Sequence, residues 1–123
     1  MATRILLIDD EENLTELAGS YLRLKGYDAQ ACNDPVEALE RIERERFDAV
    51  VVDMMMYPMN GLTLLRRLRE LPNYAQAPVF VLSAKQLSNE ERRELLELRV
   101  AFLSKPFQPR ELLRRIQAEV PLR

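Results

Sequence analysis

The chain has 123 residues, with 18 Lys and Arg against 20 Asp and Glu, one Cys, and neither His nor Trp. That length suits a single domain, residues 1–123, which can bury about two thirds of its unfolded surface without staples. Without His there is no His-based triad, imidazole zinc site or phosphohistidine, and one Cys makes neither a disulfide nor a thiolate cage. A net charge of −2 argues against a nucleic-acid footprint, so no direct nucleic-acid binding is expected.

No targeting segment is expected, because the apolar run Ile5, Leu6, Leu7, Ile8 is followed at once by four acidic residues. No apolar stretch approaches the ~18 residues of a membrane span, so the chain reads as cytoplasmic, with no membrane contact. Cys32 reads as a small core residue in a reducing compartment.

Runs rich in Ile, Val and Leu alternate with segments of helical period, the pattern of a parallel sheet with crossover helices. The first strand is expected over residues 3–8. In the helix that follows, Leu14, Leu17, Ala18, Tyr21 and Leu22 form an apolar stripe, and Gly26 ends it in a left-handed conformation. The second strand, 27–32, alternates Tyr27, Ala29 and Ala31 with Asp28 and Gln30, which suits a sheet edge. A second helix opens at Asp34-Pro35, an N-cap residue and a proline at the first helical position, and is expected to bury Val36, Leu39 and Ile42. Its outer face pairs Glu37 with Arg41 and Glu40 with Arg44.

The third strand, 47–53, is almost wholly apolar, and the helix after it, 61–71, stops at Pro72. A fourth strand, 78–83, precedes the most polar helix, 89–98; a fifth strand, 100–104, precedes a helix that opens at Gln108-Pro109 and buries Leu112, Leu113, Ile116 and Val120. The expected fold is therefore α/β: one flavodoxin-like (βα)5 domain. Its five-stranded parallel sheet has the order 2-1-3-4-5, with helices on both faces.

In such a sheet a ligand site lies beyond the carboxyl ends of the strands, where strand order reverses. Strand one ends in Asp9-Asp10, strand three in Asp53, strand four in Ser83, and Lys105 follows strand five. Singly, these are an N-cap acid, a turn hydroxyl and a loop lysine. Together they place three acids, a hydroxyl and a lysine on one rim.

Two carboxylates ~5 Å apart at an effective dielectric of ~20 repel by about 3 kcal/mol, so either a proton is held or a divalent cation occupies the cluster. Oxygen ligands without His or Cys favour Mg²⁺ or Mn²⁺ over zinc, and Mg²⁺ leaves room for a phosphoryl oxygen. Lys105 supplies the opposing charge and Ser83 a hydroxyl donor.

These residues carry a resemblance. Ile5-Leu6-Leu7-Ile8-Asp9-Asp10-Glu11, Val50-Val51-Val52-Asp53 with Met56, Met59 and Gly61, Val81-Leu82-Ser83-Ala84, and Phe102-Leu103-Ser104-Lys105-Pro106-Phe107 resemble the receiver domains of two-component response regulators. The resemblance covers essentially the whole chain. It implies that Asp53 is the phosphoacceptor, taking a phosphoryl group from a phosphohistidine of a sensor histidine kinase or phosphotransfer protein. It implies that Asp9, Asp10, Asp53 and the backbone carbonyl of Met55 hold Mg²⁺, and that Ser83 and Lys105 bind phosphoryl oxygens. It further implies a switch in which the Ser83 hydroxyl moves inward and Phe102 follows, reshaping the surface of helix four, strand five and helix five. A cis peptide between Lys105 and Pro106 is implied as well. Such a module is not itself an enzyme.

The chain also departs from the pattern. Tyr57 stands where many receivers carry Pro, with Pro58 one position later, and Leu98-Arg99 replaces a small Gly-Ala pair before strand five. Met55 and Lys85, each two residues beyond a site residue, are expected to impede the water that attacks the acyl phosphate. Arg92 and Arg93 on helix four, with Arg110, Arg114 and Arg115 on helix five, are candidates for a partner or homodimer face.

The output is an effector protein or a fused domain, since a chain of this length is either a stand-alone receiver or a piece of a longer regulator. Other readings stay open. One is a receiver-like docking module that works without phosphorylation. Another is an Asp-nucleophile phosphohydrolase, although Met55 stands where its second Asp would be. A nucleotide module is disfavoured, because no Gly-rich loop follows the first strand.

Overall fold

A computed structural model describes residues 2–122. Five strands and five helices alternate: β1 (Arg4–Ile8), α1 (Glu12–Leu24), β2 (Asp28–Cys32), α2 (Pro35–Arg44), β3 (Ala49–Asp53), α3 (Gly61–Glu70), β4 (Val79–Ser83), α4 (Asn89–Glu97), β5 (Ala101–Ser104) and α5 (Pro109–Glu119). A short 3-10 turn, Pro72–Tyr74, links α3 to β4 and was not anticipated from the sequence. The sheet is parallel in the order β2-β1-β3-β4-β5, as expected.

Alternation along the strands feeds two cores. Leu6, Ile8, Val50, Val52, Val79 and Val81 point to one face, where Ile42 of α2, Leu64, Leu65 and Leu68 of α3, and Leu95 of α4 cover them. Ile5, Leu7, Ala49, Val51, Phe80 and Leu82 point to the other, under Ala18 and Leu22 of α1 and Leu112 and Ile116 of α5. Burial on both faces explains why β1, β3 and β4 read as unbroken apolar runs. All five residues of β3 and of β4 are buried.

Local signals fix the helix ends. The Asp34 side chain accepts from the Val36 N–H at 2.9 Å, and Ser88 and Glu91 form a reciprocal capping box at α4. Gly26 adopts φ 104°, the conformation expected of it after α1.

Four expectations need correction. Leu17 is 61% exposed, because α1 turns Thr15, Ala18, Gly19 and Leu22 toward the sheet; small residues there let the helix approach closely, and Leu17 falls on the opposite side. Val36 is 40% exposed, since the buried stripe of α2 is Pro35, Ala38, Leu39 and Ile42, and Val36 lies one position round from it. On β2, Ala31 is exposed whereas Tyr27 and Ala29 are buried. Arg41 pairs with Glu45 at 2.9 Å and stacks over Phe47, so the helix contact expected with Glu37 is replaced. Among the described residues no helix is long and apolar enough to cross a membrane.

Candidate functional site

The carboxyl ends of β1, β3 and β5 bring Asp9, Asp10, Asp53 and Lys105 together. Carboxylate oxygens of Asp9, Asp10 and Asp53 lie within 4.8 Å of one another, with Asp9 and Asp53 buried and Asp10 exposed. The Lys105 ammonium sits at 2.8 Å from Asp9 Oδ2 and 3.2 Å from Asp53 Oδ1, itself largely buried. At Asp53 the approach is that of an ion pair outside hydrogen-bond geometry, which leaves the buried Oδ1 without a hydrogen-bond donor.

Burial, followed by the negative charge of Asp9, raises the Asp53 pKa to about 6; Lys105 and the Met55 backbone N–H pull in the opposite direction. Burial also opposes the charge on Lys105, but Asp9 and Asp53 outweigh it and its pKa rises. The repulsion expected from the sequence is thus shared between an inward lysine and a carboxyl that holds its proton unusually long.

Backbone geometry fixes the acids. The Asp9 side chain accepts from the Glu11 N–H at 3.0 Å, and its backbone carbonyl accepts from the Asn33 side-chain amide at 2.7 Å. Asn33 also reaches the Thr15 hydroxyl at 3.0 Å, which ties the loop after β1 to the end of β2. Behind Asp53, the Gly61 N–H donates to the Met54 carbonyl at 3.1 Å. A Cβ on Gly61 would lie 2.8 Å from Met54 Cα and closer still to the Asp53 carbonyl oxygen, so only glycine fits.

Ser83 is buried, and its hydroxyl shares two 3.2 Å contacts with the backbone of Lys85. The Lys85 side chain turns away from the acids and pairs with Glu91 of the α4 capping box at 2.7 Å. Met55 is 56% exposed on the rim, whereas its neighbours Met54 and Met56 are buried. Phe102 borders a groove of about 530 Å³ between α4 and β5, floored by Leu87, Leu95 and Val100. Its carbonyl accepts from Arg115 at 3.1 Å.

The Lys105-Pro106 peptide is cis, as implied by the resemblance, and Tyr57-Pro58 is cis as well. Sequence reasoning gave no role to Glu11, which contacts Lys105 at 3.2 Å, or to Asn33. Glu11 was visible as a third consecutive acid; Asn33, beside the N-cap Asp34, carried no separate signal.

The family model "Response regulator receiver domain" matches residues 5–117. The chain belongs to that family. Among the relatives of this receiver domain, response regulator MprA of Mycobacterium leprae is 39% identical over 94% of this chain and 50% of its own length. The transcriptional regulatory protein CpxR homolog of Haemophilus influenzae is 36% identical over 94% of this chain and 49% of its own. The chain therefore spans about half the length of the curated relatives it matches. Among solved structures, the chemotaxis protein CheY4 of Vibrio cholerae superposes with a TM-score of 0.89 at 26% identity, covering 98% of this chain and 100% of that one. The receiver domain of Francisella response regulator 1452 gives 0.84 at 31% identity, covering 94% of each. As a receiver domain the chain is a two-component signalling module, and its acidic cluster is one that could hold a metal ion.

Proposed function

We propose that Asp53 accepts a phosphoryl group from a phosphohistidine of a sensor histidine kinase or phosphotransfer protein. A carboxylate oxygen of Asp53 forms the new O–P bond as the donor's P–N bond breaks, and the imidazole leaves with a proton. The observation that supports this is the buried Asp53 carboxyl at the end of β3, facing two further acids and Lys105. With a pKa of about 6 it is mostly ionised at neutral pH, as a nucleophile must be.

Three carboxylates within 4.8 Å and an unsatisfied buried oxygen on Asp53 fit a hard divalent cation. Asp9, Asp10, Asp53 and the Met55 carbonyl would hold Mg²⁺, which supplies positive charge for the phosphoryl oxygens. Lys105 then turns part of its contact from the acids to the new phosphoryl group, and Ser83 gives up its weak bonds to Lys85 to donate to it.

That inward movement of Ser83 opens space for Phe102, whose shift reshapes the groove between α4 and β5 and the neighbouring face of α5. Partners on this face are an effector protein or a fused output domain, or a second copy through α4 and α5. The exposed Arg92, Arg93, Arg110, Arg114 and Arg115 contribute charge there. Any contact with DNA, as the naming of some relatives as transcriptional regulators suggests for those proteins, is made by a fused domain and not by this one. The site of action is the cytoplasm. Turnover as an enzyme is not part of this reading, since no second Asp follows Asp53 by two residues.

The test is intact mass after incubation with acetyl phosphate and Mg²⁺. One phosphoryl group is expected on the parent, and none on Asp53→Asn or without metal. No gain on the parent, with no Mg²⁺ bound, would leave a docking module that works without phosphorylation.

A further inference from the structure

Two arginines hold the junction between α4 and β5, at the position where Leu98-Arg99 replaces the small residues usual in the family. Arg69, on α3, is partly buried, and among the described residues no carboxylate pairs with it. Its guanidinium instead donates to four backbone carbonyls: Leu98 at 2.9 Å, Arg99 at 3.1 Å, Tyr74 at 2.7 Å and Ala77 at 2.8 Å. Arg99 adds a fifth bond, from its side chain to the Ala75 carbonyl at 2.8 Å. Its φ of 57° is that of the left-handed residue that ends α4, where the Arg99 N–H donates to the Leu96 carbonyl at 3.1 Å and the Val100 N–H to the Leu95 carbonyl at 3.3 Å. On this helix end the Arg69 fork holds the Arg99 carbonyl while the Arg99 side chain is bound to the Ala75 carbonyl.

β5 gains most from these contacts. It is an edge strand of four residues, none of them fully buried. Burial of one face is what normally specifies register, and a slip by one residue turns every side chain over. Such a slip would shift the strand by about 3.3 Å. Lys105 would leave its 2.8 Å contact with Asp9, and Phe102 would turn from the α4 groove to the opposite face of the sheet, under α5. A planar fork of five donors suits this task, because it reaches carbonyls of the α4–β5 junction and of the segment before β4 at once.

We propose that Arg69 is a positioning residue of the phosphoryl site: with Arg99 it clamps the α4–β5 junction and so sets the register in which β5 delivers Phe102 and Lys105. The effect on phosphorylation rests on the reading of Asp53 as phosphoacceptor; the effect on β5 does not.

The test uses the full chain with Arg69→Met, which keeps the aliphatic stem, and Arg69→Lys, which keeps the charge without the fork. Three quantities are measured: native-state amide exchange, the initial rate of mass gain with acetyl phosphate, and Mg²⁺ affinity by titration calorimetry. Arg69→Met should speed exchange of the β5 and Lys105 amides about tenfold while β1 and β3 keep their protection. It should slow phosphorylation several-fold without lowering Mg²⁺ affinity, because the acids sit on other strands and the withdrawn Lys105 no longer competes for them; Arg69→Lys should fall between. Unchanged β5 protection, protection lost evenly across all strands, or a parallel fall in Mg²⁺ affinity would each overturn the proposal. If the parent takes no phosphoryl group, the reading of Asp53 fails while the exchange contrast still decides the clamp. If Arg69→Met does not fold, Arg69→Lys against the parent carries the comparison.

Discussion

Gly61 lies against the backbone of Asp53 so closely that a Cβ on it would stand 2.8 Å from Met54 Cα and nearer still to the Asp53 carbonyl oxygen. The obstacle is main chain of a fully buried strand, which cannot step aside as a flexible side chain would. Gly61→Ala should therefore destabilise the fold by about 1–3 kcal/mol and weaken Mg²⁺ binding, because any relief displaces the end of β3. Urea unfolding with and without Mg²⁺ checks both. A stable variant with parental Mg²⁺ affinity would show that the backbone behind Asp53 yields easily.

The raised Asp53 pKa makes the metal-free protein sensitive to pH in a direction opposite to most carboxylates. Unfolded, the group titrates near 3.8; folded, near 6. Between those values the native state binds more protons than the unfolded state, so stability falls as pH rises through the window. Two units correspond to about 3 kcal/mol. In chelator, Asp53→Asn should lack this loss and be more stable than the parent at pH 7.5 by about 1–3 kcal/mol, since Lys105 retains Asp9 and Glu11. Thermal unfolding across pH 4 to 8 measures the difference, and equal pH profiles for the two proteins would refute it.

The ion pair between Lys85 and Glu91 changes what was expected of Lys85. The lysine is held at the start of α4, 2.7 Å from a residue that also caps that helix, and this contact holds the Glu91 pKa below its usual range. Gln at position 91 preserves a capping-box geometry and releases the lysine. Glu91→Gln should lengthen the life of the acyl phosphate by a few-fold as the freed ammonium turns to the phosphoryl group, whereas the double variant Glu91→Gln with Lys85→Ala should return it to the parental value. Both are read as loss of the added mass with time. Identical decay in all three proteins would remove Lys85 from the chemistry.

How much of this was legible beforehand differs by kind of signal. Unbroken apolar runs disclosed β1, β3 and β4, and the polar residues terminating them disclosed Asp9, Asp10 and Asp53, because a doubly covered sheet permits polarity only at its ends. Which way a helix rolls was less visible. Leu17 fits the apolar period of α1, yet Thr15 and Gly19 win the inward position because their small size lets the helix approach the sheet. Long-range polar contacts were hidden altogether. Nothing local marks Asn33 as the residue that holds the Asp9 carbonyl, 24 positions away, or Arg69 as the partner of the Leu98 and Arg99 carbonyls. Leu98-Arg99 stood out only as a departure, and its partner lay on another helix.

Lys105 stabilises the acid cluster when no metal is bound as well as serving the phosphoryl group, and the two roles separate experimentally. Its ammonium faces Asp9 at 2.8 Å and Asp53 at 3.2 Å, both buried, with the exposed Glu11 outermost. Lys105→Met keeps the aliphatic stem but leaves two buried carboxyls without a cation, a change that costs about 3 kcal/mol in comparable buried pairs. Without metal at pH 7 the variant should melt well below the parent, and the Asp53 pKa should rise further above 6. Saturating Mg²⁺ should restore most of the lost stability, because a divalent cation replaces the missing charge. Phosphorylation should stay slow even then, since Mg²⁺ does not replace a donor aimed at the phosphoryl oxygens. Thermal unfolding and mass gain, each with and without Mg²⁺, give the four values required; recovery of stability and phosphorylation together would mean that Lys105 acts through charge balance alone.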